Sequence, residues 1–258
     1  MKCGLCLREV EKLSKSHIIP RALMLAGGEK GSHQPLMLMP VDEGKHVGRS
    51  HAGIYSEIVC AGCEASFHAG DEALIALSRT YAQGRPFPGE PGEPVMAYSY
   101  PNLGNAAVHR GVLTTLYRAH LSDQDLFKHV TLTPEFAEKL RQLVLSNELT
   151  HHSDFDIVLR VVPTLHGSVI ASPFPEQWDG VSAYRFYFPN VTAVIKVDNQ
   201  PFSDPFQKLK LGTHEHPVAL LADQLAPSEM RMLGRAIHGR HDDVLRIAGP
   251  KSDKPEAT

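Results

Sequence analysis

Long apolar runs are missing from this sequence, and so is an excess of either charge. No stretch of about 20 apolar residues occurs, and charges interrupt the opening segment MKCGLCLREVEKLSKSHIIPRALM, so neither a signal-peptide core nor a membrane span is expected. The chain reads as soluble and cytoplasmic. With 26 Lys+Arg against 29 Asp+Glu, a net charge of -3 and a pI near 6.6, it does not hold polyanions by bulk charge, and any nucleic-acid contact must be local. A Gly-rich phosphate loop, a nucleophile elbow and a dinucleotide fingerprint are all absent, which removes the commonest kinase, hydrolase and dehydrogenase readings. There is no internal repeat and no heptad run.

Cysteine is scarce too, and its placement is informative. The four cysteines fall as two C-x-x-C pairs, Cys3/Cys6 and Cys60/Cys63, with none left over for a disulfide framework. Each pair can present two thiolates on a tight turn, so together they can clamp one tetrahedral Zn²⁺ although 53 residues lie between Cys6 and Cys60. Such a site is closed and structural: it staples a small fold and leaves no open position for water. The other readings are a pair of redox dithiols, for which neither pair sits at a βαβ crossover, and four unrelated buried cysteines.

The rest of the pattern predicts an α+β protein. QGRPFPGEPGEPV packs four prolines and three glycines between more regular regions. We therefore expect an N-terminal domain over 1–84, a Pro/Gly-rich linker over 85–97, a larger domain of helices and antiparallel sheet over 98–250, and a flexible tail over 251–258. Apolar spacing predicts one helix across CEASFHAGDEALIALSRTYA, starting at the second cysteine pair. GNAAVHRGVLTTLYRAHL reads as a helix with Val108, Val112, Leu113 and Leu116 on one side, and TPEFAEKLRQLVLSN as another that opens on a Thr cap. FDIVLRVVP, SAYRFYFPN and VTAVIKVDN read as strands, the last two joined by a short Pro-Asn turn. A final helix is expected from about Pro227.

Between the cysteine pairs lies SHIIP, where His17 precedes an Ile-Ile-Pro segment that can continue a strand until proline limits the backbone. Immediately after the second pair comes Glu64. On one continuous helix Glu64, His68 and Asp71 would form a polar stripe, a plausible ligand set for a hard cation.

The order C-x-x-C, S-H-I-I-P, C-x-x-C-E resembles the HNH endonucleases over roughly residues 1–80. The resemblance implies a ββα-metal fold in which a histidine-bearing strand packs against a metal-binding helix. It implies that His17 is the general base and that Cys3, Cys6, Cys60 and Cys63 hold a structural zinc. Glu64 and His68 keep the i, i+4 spacing of the two helix histidines in colicin-type members, which implies a second, catalytic cation at that pair: Mg²⁺, Mn²⁺ or Zn²⁺. Ser16 stands where the family usually has a metal-binding acid or histidine, Glu64 where many members have histidine, and the family's central asparagine has no counterpart. GIYSEIVCAGCEASFHAGDEAL is also similar to uncharacterised bacterial proteins that share SHIIP, a Gly-Ile-Tyr stretch and C-x-x-C-E, and Tyr117-Arg118 resembles a Trp-Arg pair in the same proteins.

The resemblance implies a metal-dependent endonuclease hydrolysing phosphodiester bonds in DNA, with RNA as the other candidate substrate, and the larger domain would then select substrate or partner. The alternative is a catalytically degenerate zinc-binding module that recognises nucleic acid or a protein. His33, Lys45, His46, Arg49 and His51 populate the insertion between the cysteine pairs, where they read as a solvated loop or as phosphate contacts. Residues 1–80 hold nine Lys+Arg and nine Asp+Glu, so a basic face there needs an uneven arrangement. His151 and His152 with Asp154 and Asp156, and His214, Glu215 and His216, read as surface polar runs, since neighbours on extended chain point to opposite faces. Arg231, Arg235, Arg240 and His241 would give the final helix a basic edge.

Overall fold

A computed structural model of the chain describes residues 1–24, 36–39, 48–50, 53–87, 94–146, 153–161 and 169–222. His33, Lys45, His46, His51, His151, His152, the helix expected from Pro227 with its arginines, and the tail all lie outside the described residues.

The fold is α+β, with two mixed sheets and an antiparallel one. The antiparallel sheet is a ribbon of β1 (Ser14–His17) and β4 (Tyr55–Val59), in which Lys15 lies opposite Glu57, Ser16 opposite Ser56 and His17 opposite Tyr55. It leads directly into α2 (Ala61–Ala65) and α3 (His68–Thr80), while the four-residue α1 (Arg21–Met24) follows Pro20. From the insertion, β2 (Leu36–Met39) pairs with β3 (Gly48–Ser50) and, in parallel, with the much later β8 (Val169–Ala171).

The large sheet has seven strands. β5 (Arg85–Pro86) and β6 (Ala97–Ser99) form one margin, followed by β12 (Val218–Leu221), β7 (Ile157–Val161), β11 (Val191–Lys196), β10 (Val181–Phe188) and β9 (Phe174–Trp178). All neighbours are antiparallel except β12 and β7, which run parallel and make the sheet mixed. The flanks of the Pro/Gly-rich stretch 85–97 are thus strands of this sheet. Two tight turns set the register of β9, β10 and β11. Asp179 and Gly180 both have positive φ, as a two-residue hairpin loop demands, and Pro189-Asn190 pairs the fixed φ of proline with a left-handed asparagine at φ 63°.

α4 (Asn105–Leu121) and α5 (Pro134–Ser146) cover the sheet, with Thr133 Oγ1 accepting from the Phe136 amide at the start of α5. The sequence suggested one apolar side for α4, but burial runs round most of it, including His109, Arg110, Thr114, Thr115 and Arg118. The threonines and arginines can sit there because they form hydrogen bonds. Thr115 Oγ1 donates back to the Gly111 carbonyl at 2.8 Å, and the guanidinium groups have partners described below. One hydrophobic cluster runs from Cys3 and Leu5 through α3, α4 and α5 to β7, β10, β11 and Ala219, so the core is continuous across Gly84.

Candidate metal centre and the residues around it

Cys3 and Cys6 stand on a knuckle at the chain start. The Cys3 amide donates to the Arg8 carbonyl at 3.0 Å, the Leu7 amide returns to the Cys3 carbonyl at 3.0 Å, and Leu7 takes a left-handed φ of 61° to close the loop. Cys60 caps α2, accepting the Glu64 amide at 2.9 Å, and Cys63 lies one turn in. The two knuckles are joined through the ribbon, where the Gly4 amide donates to the Ile58 carbonyl at 2.9 Å. The larger region also grips the first knuckle. The Tyr117 hydroxyl of α4 donates to the Gly4 carbonyl at 2.7 Å, and Arg141 of α5, held by Glu138, donates to the Leu5 carbonyl at 2.8 Å.

As a result the four Sγ atoms lie within 4.8 Å of one another, and Cys6 and Cys60 are 3.9 Å apart. A tetrahedron with Zn–S bonds of about 2.3 Å has edges of about 3.8 Å, whereas a disulfide needs about 2.05 Å. The cluster therefore has the donor type, number and spacing to hold a zinc ion. Cys3, Cys60 and Cys63 are buried and Cys6 is the half-exposed member. Arg8 Nε donates to Cys6 Sγ at 3.4 Å, and that bond holds the Cys6 thiol down at about 6. A hydrogen bond from the Cys63 backbone also lowers Cys60, whereas burial pushes Cys63 up. Four thiolates so close together repel, and a divalent cation supplies the missing opposite charge.

The helix after Cys60 is broken. Ser66 and Phe67 donate to the carbonyls three residues back, Cys63 at 3.1 Å and Glu64 at 3.1 Å, before α3 resumes at His68. Arg110 of α4 takes the freed Ser66 carbonyl with both Nε (3.2 Å) and Nη2 (3.1 Å). Glu64 therefore stands on α2 and His68 at the start of α3, on two helices instead of the one that the spacing suggested. Glu64 is half-buried, its Oε2 enclosed with no hydrogen-bond partner, while His68 is exposed. Asp71 is engaged elsewhere, bonded by both terminal nitrogens of Arg118. Among the described residues, the cysteines are the only cluster of three or more side chains able to hold a metal ion.

His17 is half-buried, with its ring 6.0 Å from that of Tyr55 in an edge-on contact. Ser16 points the other way and is fully buried, its hydroxyl without a hydrogen-bond partner. His214 is occupied by the Lys208 carbonyl at 2.6 Å and packs on Phe87, so the 214–216 run does not converge on a site. Sequence reasoning missed Arg8, and also Arg110 and Arg141, whose roles follow from partners far away in the chain. Only Arg8, two residues beyond Cys6, carried a local signal. No helix among the described residues is long and apolar enough to cross a membrane. Comparisons with protein-family models, curated proteins and solved structures give no match.

Proposed function

We propose that the chain is an HNH-like, metal-dependent endonuclease that hydrolyses phosphodiester bonds in DNA, with a structural zinc at Cys3, Cys6, Cys60 and Cys63. One observation carries this reading. The His17-bearing strand β1 runs antiparallel to β4, and β4 ends at the cysteine that caps the following helix. This succession of strand, strand and helix, with two of the four cysteines at the start of the helix, is what supports the reading. His17, outside the cluster, would take the proton from the attacking water; a neutral imidazole suits that work near pH 7. Glu64 and His68 are the chain's own groups nearest in sequence for a second divalent ion, whose contribution would be to polarise the scissile phosphate.

The test combines metal content with a cleavage screen. Purified protein is analysed for metals by mass spectrometry before and after dialysis against a chelator and addition of Mn²⁺, for wild type and for Glu64→Ala/His68→Ala. It is then incubated with plasmid and single-stranded DNA over Mg²⁺, Mn²⁺, Ni²⁺ and Zn²⁺. One retained zinc, an exchangeable ion lost in the double variant, and cleavage abolished by His17→Ala with zinc content unchanged are expected. Intact substrates under every metal would overturn the reading.

Two observations favour a second reading, a zinc-stapled module that recognises nucleic acid or a protein without cutting. Ser16 is sealed away from solvent, and Asp71 is committed to Arg118. That reading predicts one zinc, no exchangeable metal, and binding indifferent to His17→Ala.

A further inference from the structure

The β1–β4 ribbon has two unlike faces. On the inner face Ser16 and Ser56 are buried, and Ser56 Oγ is bonded to Asp123 at 2.8 Å and to Ser122 at 2.9 Å. On the outer face, by strand alternation, stand Lys15, His17, Tyr55 and Glu57. Tyr55 is the anomaly there: a large aromatic side chain left 39% exposed in a strand, directly opposite His17. Lys15 Nζ lies 5.1 Å from the centroid of its ring.

We propose that Tyr55 is a stacking platform for an unpaired base, with Lys15 serving the phosphate of the same nucleotide, so that the preferred substrate is single-stranded or frayed nucleic acid. The inference rests on the nucleic-acid reading above and adds to it the substrate class and the residue that selects it. An exposed tyrosine offers a π-face to any base, but only one outside a duplex stack can use it. The ammonium lies over the ring, and its positive charge favours the negative charge that such a nucleotide brings. Residues 1–24, which include β1, hold five basic side chains (Lys2, Arg8, Lys12, Lys15 and Arg21) against two glutamates, in a chain whose net charge is -3. Glu57, opposite Lys15, is the one acidic group on the ribbon face. A nucleotide seated on Tyr55 would lie beside His17, whose ring edge already meets the same tyrosine.

The test is fluorescence anisotropy with the full chain and no added divalent cation, so that binding is read without cleavage. The probes are a labelled single-stranded oligonucleotide and the blunt duplex of the same sequence. Wild type is expected to prefer the single strand, Tyr55→Ala to weaken that binding on the order of ten-fold, Tyr55→Phe to retain it, and Lys15→Ala to flatten its salt dependence. Because Tyr55 and Lys15 are exposed, the variants should keep the wild-type melting temperature. If the single strand binds and Tyr55→Ala changes its affinity less than two-fold, or if the duplex binds equally well, the platform is overturned while the nucleic-acid reading stands. If wild type binds neither probe, both fall.

Discussion

Arg118 holds Asp71 by both arms of its guanidinium, at 3.0 and 2.5 Å, with none of its own surface exposed and the Phe67 ring 5.1 Å away. This pair ties α3 to the end of α4, where the neighbouring Tyr117 holds the first cysteine knuckle. Removing one partner of a buried pair strands the other's charge, which costs about 3–5 kcal/mol, whereas replacing both by apolar groups is far less damaging. Asp71→Asn should therefore lower the unfolding free energy by about 3 kcal/mol or more in denaturant titration. The pair Asp71→Leu/Arg118→Met should recover most of the loss. An Asp71→Asn protein as stable as wild type would show that the pair does not carry the α3–α4 contact.

How much of this was legible in the sequence depended on how local the cause was. The Pro189-Asn190 turn and its strands could be read, because the register of a hairpin is set by residues within reach of one another. The cysteine cluster could be read despite its long loop, because thiol pairs at that spacing have few other uses. The break at Ser66–Phe67 could not, since the apolar spacing continues through it and the carbonyl it frees is satisfied by Arg110 from a helix more than 40 residues away. The same holds for Asp71. As one of three acid or imidazole groups in a row it resembled a ligand, and only the fold supplies the arginine that claims it. The parallel pairing of β12 with β7 is likewise a product of topology, which no local pattern encodes.

Gly70 and Gly111 mark the crossing of α3 and α4. A Cβ on Gly70 would lie 2.7 Å from the Gly111 nitrogen and 2.8 Å from its Cα, and one on Gly111 would strike the Gly70 carbonyl. These obstacles are backbone, which cannot swing aside. Helix propensity alone favours Ala over Gly by about 1 kcal/mol, but overpacking a close contact costs about 1–3 kcal/mol and should prevail. Gly70→Ala and Gly111→Ala are thus expected to lower the melting temperature. Gly62→Ala in α2, where nothing lies within 4 Å, should be neutral or mildly stabilising. A rise in melting temperature for Gly70→Ala would contradict the crossing geometry.

The cysteine cluster joins two segments that otherwise meet along a short ribbon, and α4 and α5 both hold its first knuckle. Loss of the metal should therefore be felt beyond the cysteines. Chelation, or Cys60→Ser, is expected to release one zinc per chain and to expose the amides of 1–24 and 55–65 to hydrogen exchange, with α4 loosened near Tyr117. Exchange unchanged after complete zinc removal would mean that the hydrophobic core alone holds these segments.

His120, at the end of α4, supplies a pH dependence of known sign. Burial is the main cause holding its pKa below the ordinary 6.5, and its Nδ1 accepts the Leu132 amide at 3.3 Å, a role open only to the neutral ring. In the unfolded chain the ring takes up a proton near pH 6.5, while in the folded chain it does so only at lower pH. Between those two values the unfolded state binds more protons, so stability falls as the pH drops, at no more than about 1.4 kcal/mol per pH unit for this one group. The contribution of the neutral ring is complete above pH 6.5 and is lost on acidification from there toward the folded-state pKa. Acid also discharges thiolate ligands, so the comparison must be with His120→Gln, which keeps the cysteines and removes the imidazole. Urea titrations from pH 7.5 down to pH 5 should show a shallower decline for the variant than for wild type. Parallel curves for the two proteins would mean that the ring is as accessible to protons in the folded chain as in the unfolded one.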